Sequence, residues 1–506
     1  MKKLNIQYKP LVLAALVFLT FGCKKTLDIN EDPNNPRVEE ASPEVLFPAA
    51  TLSTAGRVGG ELAILGGIWS QYWTQSFASN QYKTIDTYNL TRFDLNGSYN
   101  ELFAGALADY NLAIQKAQAR SDWKYNLMAT ALKAYTYQVL VDLYDQVPYK
   151  EAFQGGANLQ PKFDDGYSIY IGLLAEIDAA LAKDFQSGTL TASQEKTDFL
   201  FGGDMDTWVQ FANTLKLKMY LRMVNAKPAE AKAGIDKLYA EGANFLEQDA
   251  GIAEFEGTPN NSNPFYEYNI RRLNTTTNIR ASITFTSFLD RYDDPRGSTY
   301  FGTLTPVGIH QGDFAATTAE QPTYSSATVA AQSATDPVWF ITAAESDFMQ
   351  AEALERYSGG AGAKEKYTSG VSKAFAAAGF EDSDIPAAYA YKTGGSLEEK
   401  LEQIIVQKWA SFPGSHALEG FFEQQRTGYP RISAVYSTDP KYRAEPDPTP
   451  LDPERTIDHG GEWVYAKNGV TGGRFPKRLV FPSSSTDRNS NTPAEVPITT
   501  KVWWGK

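Results

Sequence analysis

The sequence predicts a mainly α-helical protein of four tetratricopeptide-like helix pairs with loop-rich insertions, and two patterns predict it. Apolar residues recur at spacings of three and four through segments that come in pairs. Between and after these pairs, the stretches 243–340 and 428–506 are rich in Gly, Pro, Asn, Ser and Thr and carry no helical period. A chain of 506 residues is long enough to bury a large core.

In chain order, Lys2, Lys3 and Lys9 come first, followed by the apolar run LVLAALVFLTF at 11–21 and then Gly22-Cys23. A run of that length rises about 16 Å as a helix, about half the hydrocarbon thickness of a bilayer. It is therefore read as a signal peptide, residues 1–22, and not as a membrane-spanning helix. Cleavage after Gly22 makes Cys23, the only cysteine, the new N-terminus. This resembles a bacterial lipoprotein signal, in which that thiol receives a diacylglycerol. Thr20 stands where the lipoprotein pattern prefers Leu, and a plain secretory peptide is the other reading. Residues 23–43, polar and broken by Pro33, Pro36 and Pro43, are read as a lipidated tether, and 44–506 as a single domain.

The first pair is 97–120, with the stripe Tyr99, Phe103, Ala106, Tyr110, Ile114 and Ala117, and 122–146, opening on Asp122 as N-cap. The second is 164–186 with 204–225, the latter carrying Trp208, Phe211, Leu215 and Met219. The third is 341–357, then the turn SGGAG, then a helix through Tyr367, Val371 and Phe375. The fourth opens on the capping box Ser396-Leu-Glu-Glu399, and a shorter helix at 416–426 completes it. The pairs thus occupy about 97–225 and 341–426.

The net charge of −13 and the absence of a Lys/Arg cluster argue against nucleic acid and anionic lipid heads as ligands. His310, His416 and His459 are too scattered for a metal site or a local dyad and are read as surface or loop histidines. Nucleophile-elbow, phosphate-loop, dinucleotide and Cys-x-x-Cys motifs are missing, so no catalytic residue is assigned and no cofactor is expected. Asp293 and Asp294, before Pro295, are read as turn formers. EFEGTPNNSNP and DPTPLDPERTIDHGG carry acids among turn residues; a structural Ca²⁺ there is possible in principle, but neither fits a known loop spacing.

The segments CKKTLDINEDPNNP, LFPAA, DRYDDPRG at 290–297, FITAAESDFMQAEALERYSGGA at 340–361 and TKVWW at 500–504 follow one another in this order. Together they resemble the SusD/RagB-like nutrient-binding lipoproteins of Bacteroidota. RLVFPSSSTDRN keeps Arg478, Pro482 and Asn489 of a C-terminal family pattern but has Phe481 for Tyr and Ser485 for Glu. Lys24 and Lys25 follow Cys23 where many surface-exported members carry acids. The resemblance implies four tetratricopeptide-like pairs in a right-handed superhelical scaffold. It also implies a lipid anchor in the outer membrane facing the extracellular side, and a lid over a SusC-like TonB-dependent transporter that receives an oligosaccharide or peptide.

Sugar rings stack on aromatic faces, and their hydroxyls need amides, carboxylates or arginine beside them. Trp69, Trp73 and Phe77 recur every four residues, the spacing of a buried helix face, and Trp73 is also a ligand candidate. Tyr82 and Tyr88 lie beyond that stripe among polar residues and are read as loop rings open to a ligand. NPFYEYNIRRLNTTTN supplies Tyr266, Tyr268, Arg271, Arg272 and Asn274, and Trp339 precedes the third pair. The rival reading is a lipid-anchored glycoside hydrolase or lyase, because two carboxylates brought together in space would suffice for it.

Overall fold

A computed structural model describes residues 41–76, 79–313, 327–433 and 460–506. The signal peptide, Cys23, nearly all of the tether, Phe77 and His459 lie outside the described residues. The body runs from Pro43 to Lys506.

Helix α1, Pro43–Val58, buries Leu46, Phe47, Ala50, Ala55 and Val58 on one face, and the hydroxyls of Thr51 and Thr54 donate back to the carbonyls of Phe47 and Ala50. Helix α2, Glu61–Trp69, is apolar all round and buried from Leu62 onward. A Cβ at Gly66 would stand 2.3 Å from Leu418 Cα, so only glycine admits the neighbouring backbone there. The expected helical stripe 69-73-77 stops at Trp69. Gln71 adopts a positive φ of 61°, and Trp73 opens strand β1, Trp73–Gln75. Trp69 and Trp73 are buried as the spacing suggested, but by a helix end and a strand.

A continuous helical segment at 96–119 contains a π-helical stretch, Glu101–Leu107, and continues as α3, Ala108–Ala119. It packs on α4, Trp123–Tyr144, which Asp122 caps by accepting from the Tyr125 N–H. Almost every α4 residue is buried, so this helix is the axis of the body. Strand β2, Gln146–Pro148, pairs antiparallel with β3, Phe163–Asp165, and Asp165 caps α5, Gly166–Leu181. Helix α6, Met205–Met223, is capped by Asp204. The expected second pair is rearranged: α5 lies mainly on α4, and α6 pairs with α7, Pro228–Ala240, a helix whose weak apolar stripe was not read from the sequence.

The stretch 243–340 is more ordered than its composition suggests. It holds β4, Ala250–Ile252, β5, Ile279–Ala281, paired with β1, and a helix α8, Ile283–Arg291, capped by Ser282. Strand β6, Val338–Ile341, pairs with β4 and leads through the N-cap Thr342 into α9, Ala343–Tyr357. Helix α9 packs on α10, Ala363–Ala377. The Ser396 capping box starts α11, Leu397–Ala410, which packs on α12, Ala417–Thr427. The sequence-adjacent pairs are thus α3–α4, α6–α7, α9–α10 and α11–α12, and α12 closes the body against α2. Within 428–506 the described helical piece is the single turn Ser483–Thr486.

The helices meet at a buried ion network. Arg222 reaches Asp142 at 3.0 Å and Glu419 at 2.5 Å, and also Glu423. Lys218 pairs with Glu419 at 2.9 Å, and Arg426 with both Glu352 and Glu423 at 2.6 Å. Every member is shielded from water, which strengthens each pair and leaves no screening if one is removed. The C-terminal segment returns to the same place, where Trp504 Nε1 donates to Asp142 Oδ1 at 2.7 Å. Asp294 forms a buried pair with Arg296 at 2.6 Å and accepts from the Tyr389 hydroxyl, so its role goes beyond turn formation. His310 and His416 lie in loops, as one half of the reading had it, but are buried instead of on the surface, and His416 Nε2 lies 2.6 Å from Glu345 Oε2. Among the described residues, no group of three His, Cys, Asp or Glu stands close enough to hold a metal ion.

Candidate functional site

Two clefts bring sequence-predicted residues together. The first, of about 480 Å³, opens between β6, the C-terminal end of α10 and the loop after α11. Trp339 lies on its wall, half-buried. Its backbone N–H donates to Ser415 Oγ at 3.0 Å, and the paired strand comes close because Gly251 has no side chain: a Cβ there would stand 2.1 Å from the Val338 carbonyl oxygen. The ring is thereby carried on a tied strand instead of a loop. Trp73 and Phe265 meet deeper in the same cleft at 4.9 Å between ring centroids.

Polar groups surround these rings. Asp249 Oδ1 accepts from the Ala343 N–H at 2.7 Å, and Asp336 Oδ2 accepts from the Ser333 N–H at 2.7 Å. Burial pushes the Asp336 carboxyl above its ordinary value, against the lowering effect of that N–H. Lys373 also lines the cleft, with its charge tied to Asp347 at 2.6 Å. Trp73 and Gln332 also line it, and their Nε1 and Nε2 atoms, both closed off from solvent, have no hydrogen-bond partner among the described residues.

The second cleft, of about 650 Å³, lies between α1 and the segment 252–272 and includes Tyr268 and Arg272. Here the expectation of free aromatic platforms fails. Arg272 covers the Tyr268 ring at 4.4 Å, and a Cβ at Gly60 would touch that ring at 3.0 Å. The Tyr268 hydroxyl accepts from Arg57 at 2.5 Å. Tyr266 is likewise approached by Arg271 at 5.4 Å, and Arg271 is itself paired with Glu267 at 3.0 Å. Each tyrosine in this run thus has an arginine of the run on its ring.

The remaining candidates separate. Tyr82 and Tyr88 are core residues, not loop platforms. Tyr82 is 7% exposed with its hydroxyl on the Tyr268 carbonyl, and Tyr88 is 3% exposed against Tyr465 and Phe475. Burial raises both phenols above the usual tyrosine range. Asn274 is exposed at a positive φ of 49°, a turn position. Of the nine candidates, Trp73 and Trp339 share the first cleft and Tyr268 and Arg272 the second. Phe265, Gln332, Asp249 and Asp336 were missed, because no local spacing marks residues that meet only once β1 has paired with β5 and β4 with β6.

A family model described as starch-binding associating with outer membrane matches residues 33–447. The chain belongs to the SusD-like family. Solved structures agree with this SusD-like body in fold. A SusD homolog from Bacteroides uniformis has a TM-score of 0.72 at 22% identity, covering 91% of this chain and 99% of its own. A chitin-binding SusD homolog from Flavobacterium johnsoniae has a TM-score of 0.71 at 22% identity, with coverage of 91% and 97%. A SusD-like protein from Bacteroides thetaiotaomicron has a TM-score of 0.67 at 21% identity, with coverage of 90% and 98%. No curated protein matches the sequence. The fold class expected from the sequence, mainly α and SusD-like, is the one observed, and the family description places its members in association with the outer membrane.

Proposed function

We propose that this SusD-like chain is a non-catalytic oligosaccharide-binding lipoprotein, anchored through Cys23 on the extracellular side of the outer membrane. It acts as a lid that passes its ligand to a SusC-like TonB-dependent transporter. The observation that carries the binding role is the Trp339 cleft, where a half-buried indole stands beside the carboxylates Asp249 and Asp336 and the amides Asn263 and Gln332. Apolar sugar faces and hydroxyls need that combination. The volume of about 480 Å³ is in the range of small-ligand sites, and one relative of the same fold carries a chitin-binding description. Among the described residues no helix is long and apolar enough to cross a membrane, which is compatible with attachment by lipid.

The test is calorimetry of the mature chain against a panel of starch-like, chitin-like and plant oligosaccharides and short peptides, with product analysis alongside. Binding of at least one oligosaccharide with unchanged chain length is expected. Shortened products would support the hydrolase or lyase reading, with Asp249 and Asp336 as the carboxylates to replace first. Mass spectrometry of the native N-terminal peptide should find a diacylglycerol on Cys23, and protease shaving of intact cells should digest the body. Co-purification with a TonB-dependent barrel tests the partner.

A further inference from the structure

A third cleft, of about 230 Å³, lies at the surface between the π-helical stretch Glu101–Leu107, the loop 149–162 that joins β2 to β3, and the turn Ser483–Thr486. Its lining shares no residue with that of the Trp339 cleft. Phe103 stands 4.7 Å from Tyr99 and 6.4 Å from Phe153 between ring centroids, and Phe103 and Phe153 are half-buried. Leu159 adds an apolar side chain that is 79% exposed.

The backbone presents these side chains at a cost. Phe103 belongs to the π-helical stretch, a rare form concentrated at functional sites. Phe153 has a φ of 60°, a region where glycine is at ease and a bulky side chain is strained. Full burial of the ring does not offset that strain, because Phe153 stays half open to water. The loop is also tied down: Asn489 Nδ2 donates to the Pro161 carbonyl at 2.8 Å, and Asn491 Nδ2 to the Gln160 carbonyl at 2.7 Å. Open rings on a tethered, strained backbone make a surface prepared for a ligand.

Charge narrows that ligand. In a protein of net charge −13, the lining contains no Asp or Glu. Its one charged residue is Arg488, which is exposed and has no side-chain hydrogen bond or ion pair among the described residues. The acids next to the lining in sequence are engaged elsewhere: Asp487 pairs with Arg92, and Glu151 with Lys162 at 3.4 Å. A free guanidinium beside apolar rings fits a molecule with an apolar face and a carboxylate at its edge. A uronic acid has both, in the C–H face of its pyranose ring and the carboxylate at C6, and Asn100, exposed on the same lining, suits its hydroxyls. The volume is below the about 300–1,000 Å³ of whole-ligand pockets, which leaves room for one ring of a longer chain.

We propose that this cleft is a second subsite, which binds a uronic-acid residue of an oligosaccharide. The C–H face of the sugar lies on Phe153 and Phe103, and its carboxylate pairs with Arg488. This rests on the oligosaccharide-binding reading above, which selects a sugar among anions with an apolar face, and adds the acidic class of sugar.

The test is calorimetry on the mature chain with two trimers, α-1,4-linked trigalacturonate and β-1,4-linked triglucuronate, each compared with its neutral form reduced at C6. Members of a pair differ only in carboxylate against hydroxymethyl. At least one uronate should bind about tenfold more tightly than its neutral form, with the advantage shrinking as salt rises. Arg488→Gln should bring that ratio near one. Phe153→Gly removes the ring and the strain together, so uronate affinity should fall about tenfold while the melting temperature holds or rises. If Phe153→Gly fails to fold, Arg488→Gln decides. Equal affinities within both pairs, an unchanged ratio in Arg488→Gln, or unchanged uronate affinity in Phe153→Gly overturns the uronate subsite and leaves oligosaccharide binding standing. Binding of no sugar, or preference for a triaspartate peptide over every sugar, overturns both.

Discussion

Trp339 stands in the apolar string VWFI and Tyr88 between Thr87 and Asn89, yet their places are the reverse of what those neighbours suggest. Trp339 keeps part of its ring at a cleft, whereas Tyr88 fills the core between Tyr465 and Phe475. Trp339→Ala should therefore lower oligosaccharide affinity by tenfold or more in calorimetry and leave the melting temperature nearly unchanged. Tyr88→Ala should instead destabilise the fold by about 3–5 kcal/mol in urea titration, the usual consequence of emptying a large core site. Equal effects of both changes on stability would contradict the assignment. The sequence could not separate these two rings, because exposure depends on what folds against a side chain and not on its neighbours in the chain. The arginine-covered tyrosines 266 and 268 make the same point: the run contained aromatic rings and cations in suitable proportion, and they found each other.

At the scale of single elements, helix ends were the most legible features. Asp122 and Ser396 cap the helices they were expected to cap, because a cap is a contact between residues three apart. Ser396→Ala should cost about 1 kcal/mol, read as a shift in the urea midpoint at unchanged slope. The approach of α2 to α12 is a constraint of a different kind. Gly66→Ala would place a methyl against the Leu418 backbone, which cannot swing aside as a side chain can. We expect a loss of about 1–3 kcal/mol from the forced separation of the helices, measured in the same titration. Nothing in the local string ELAILGGIW distinguishes that glycine from its neighbour, since Gly67 is closed off by the Trp73 ring instead.

For the whole molecule, the buried ion network sets the response to acid. Burial pushes the Glu345 carboxyl up, but Lys218, His416 and Lys408 outweigh burial and hold it well below its ordinary 4.5. Glu352 and Glu423 are also held down, against burial, chiefly by Arg426. Carboxyls depressed in the folded state contribute stability that is present above 4.5 and lost as pH falls through their folded values. Asp142, in the same network, and Asp86 have the opposite sign: burial raises Asp142 despite Arg222, and raises Asp86 to about 6 despite its hydrogen bonds, so the Asp86 contribution grows as pH falls from about 6 to 3.8. The melting temperature should hold or rise slightly between pH 7 and 5 and fall below about 4.5. A fall that begins near pH 6 would contradict this balance. Arg426→Met takes away the guanidinium that Glu352 and Glu423 share and leaves them only Arg356 and Arg222 with Lys408, respectively, so it should cost about 3 kcal/mol at pH 7, the lower end for a broken buried pair.

The sequence by itself determined the helical class, most helix ends, the family and the expectation of a lipid-anchored binder, because periodicity, caps and motif order are properties of neighbouring residues. The tertiary structure alone decided that α6 pairs with α7, that Tyr82 and Tyr88 are core, and that Trp339, Phe265, Trp73 and Gln332 share one cleft. Those facts depend on strand pairings, β1 with β5 and β4 with β6, that join segments about 90 to 200 residues apart. No local pattern encodes such pairings, because their stability comes from burial that exists only once the chain has closed on itself.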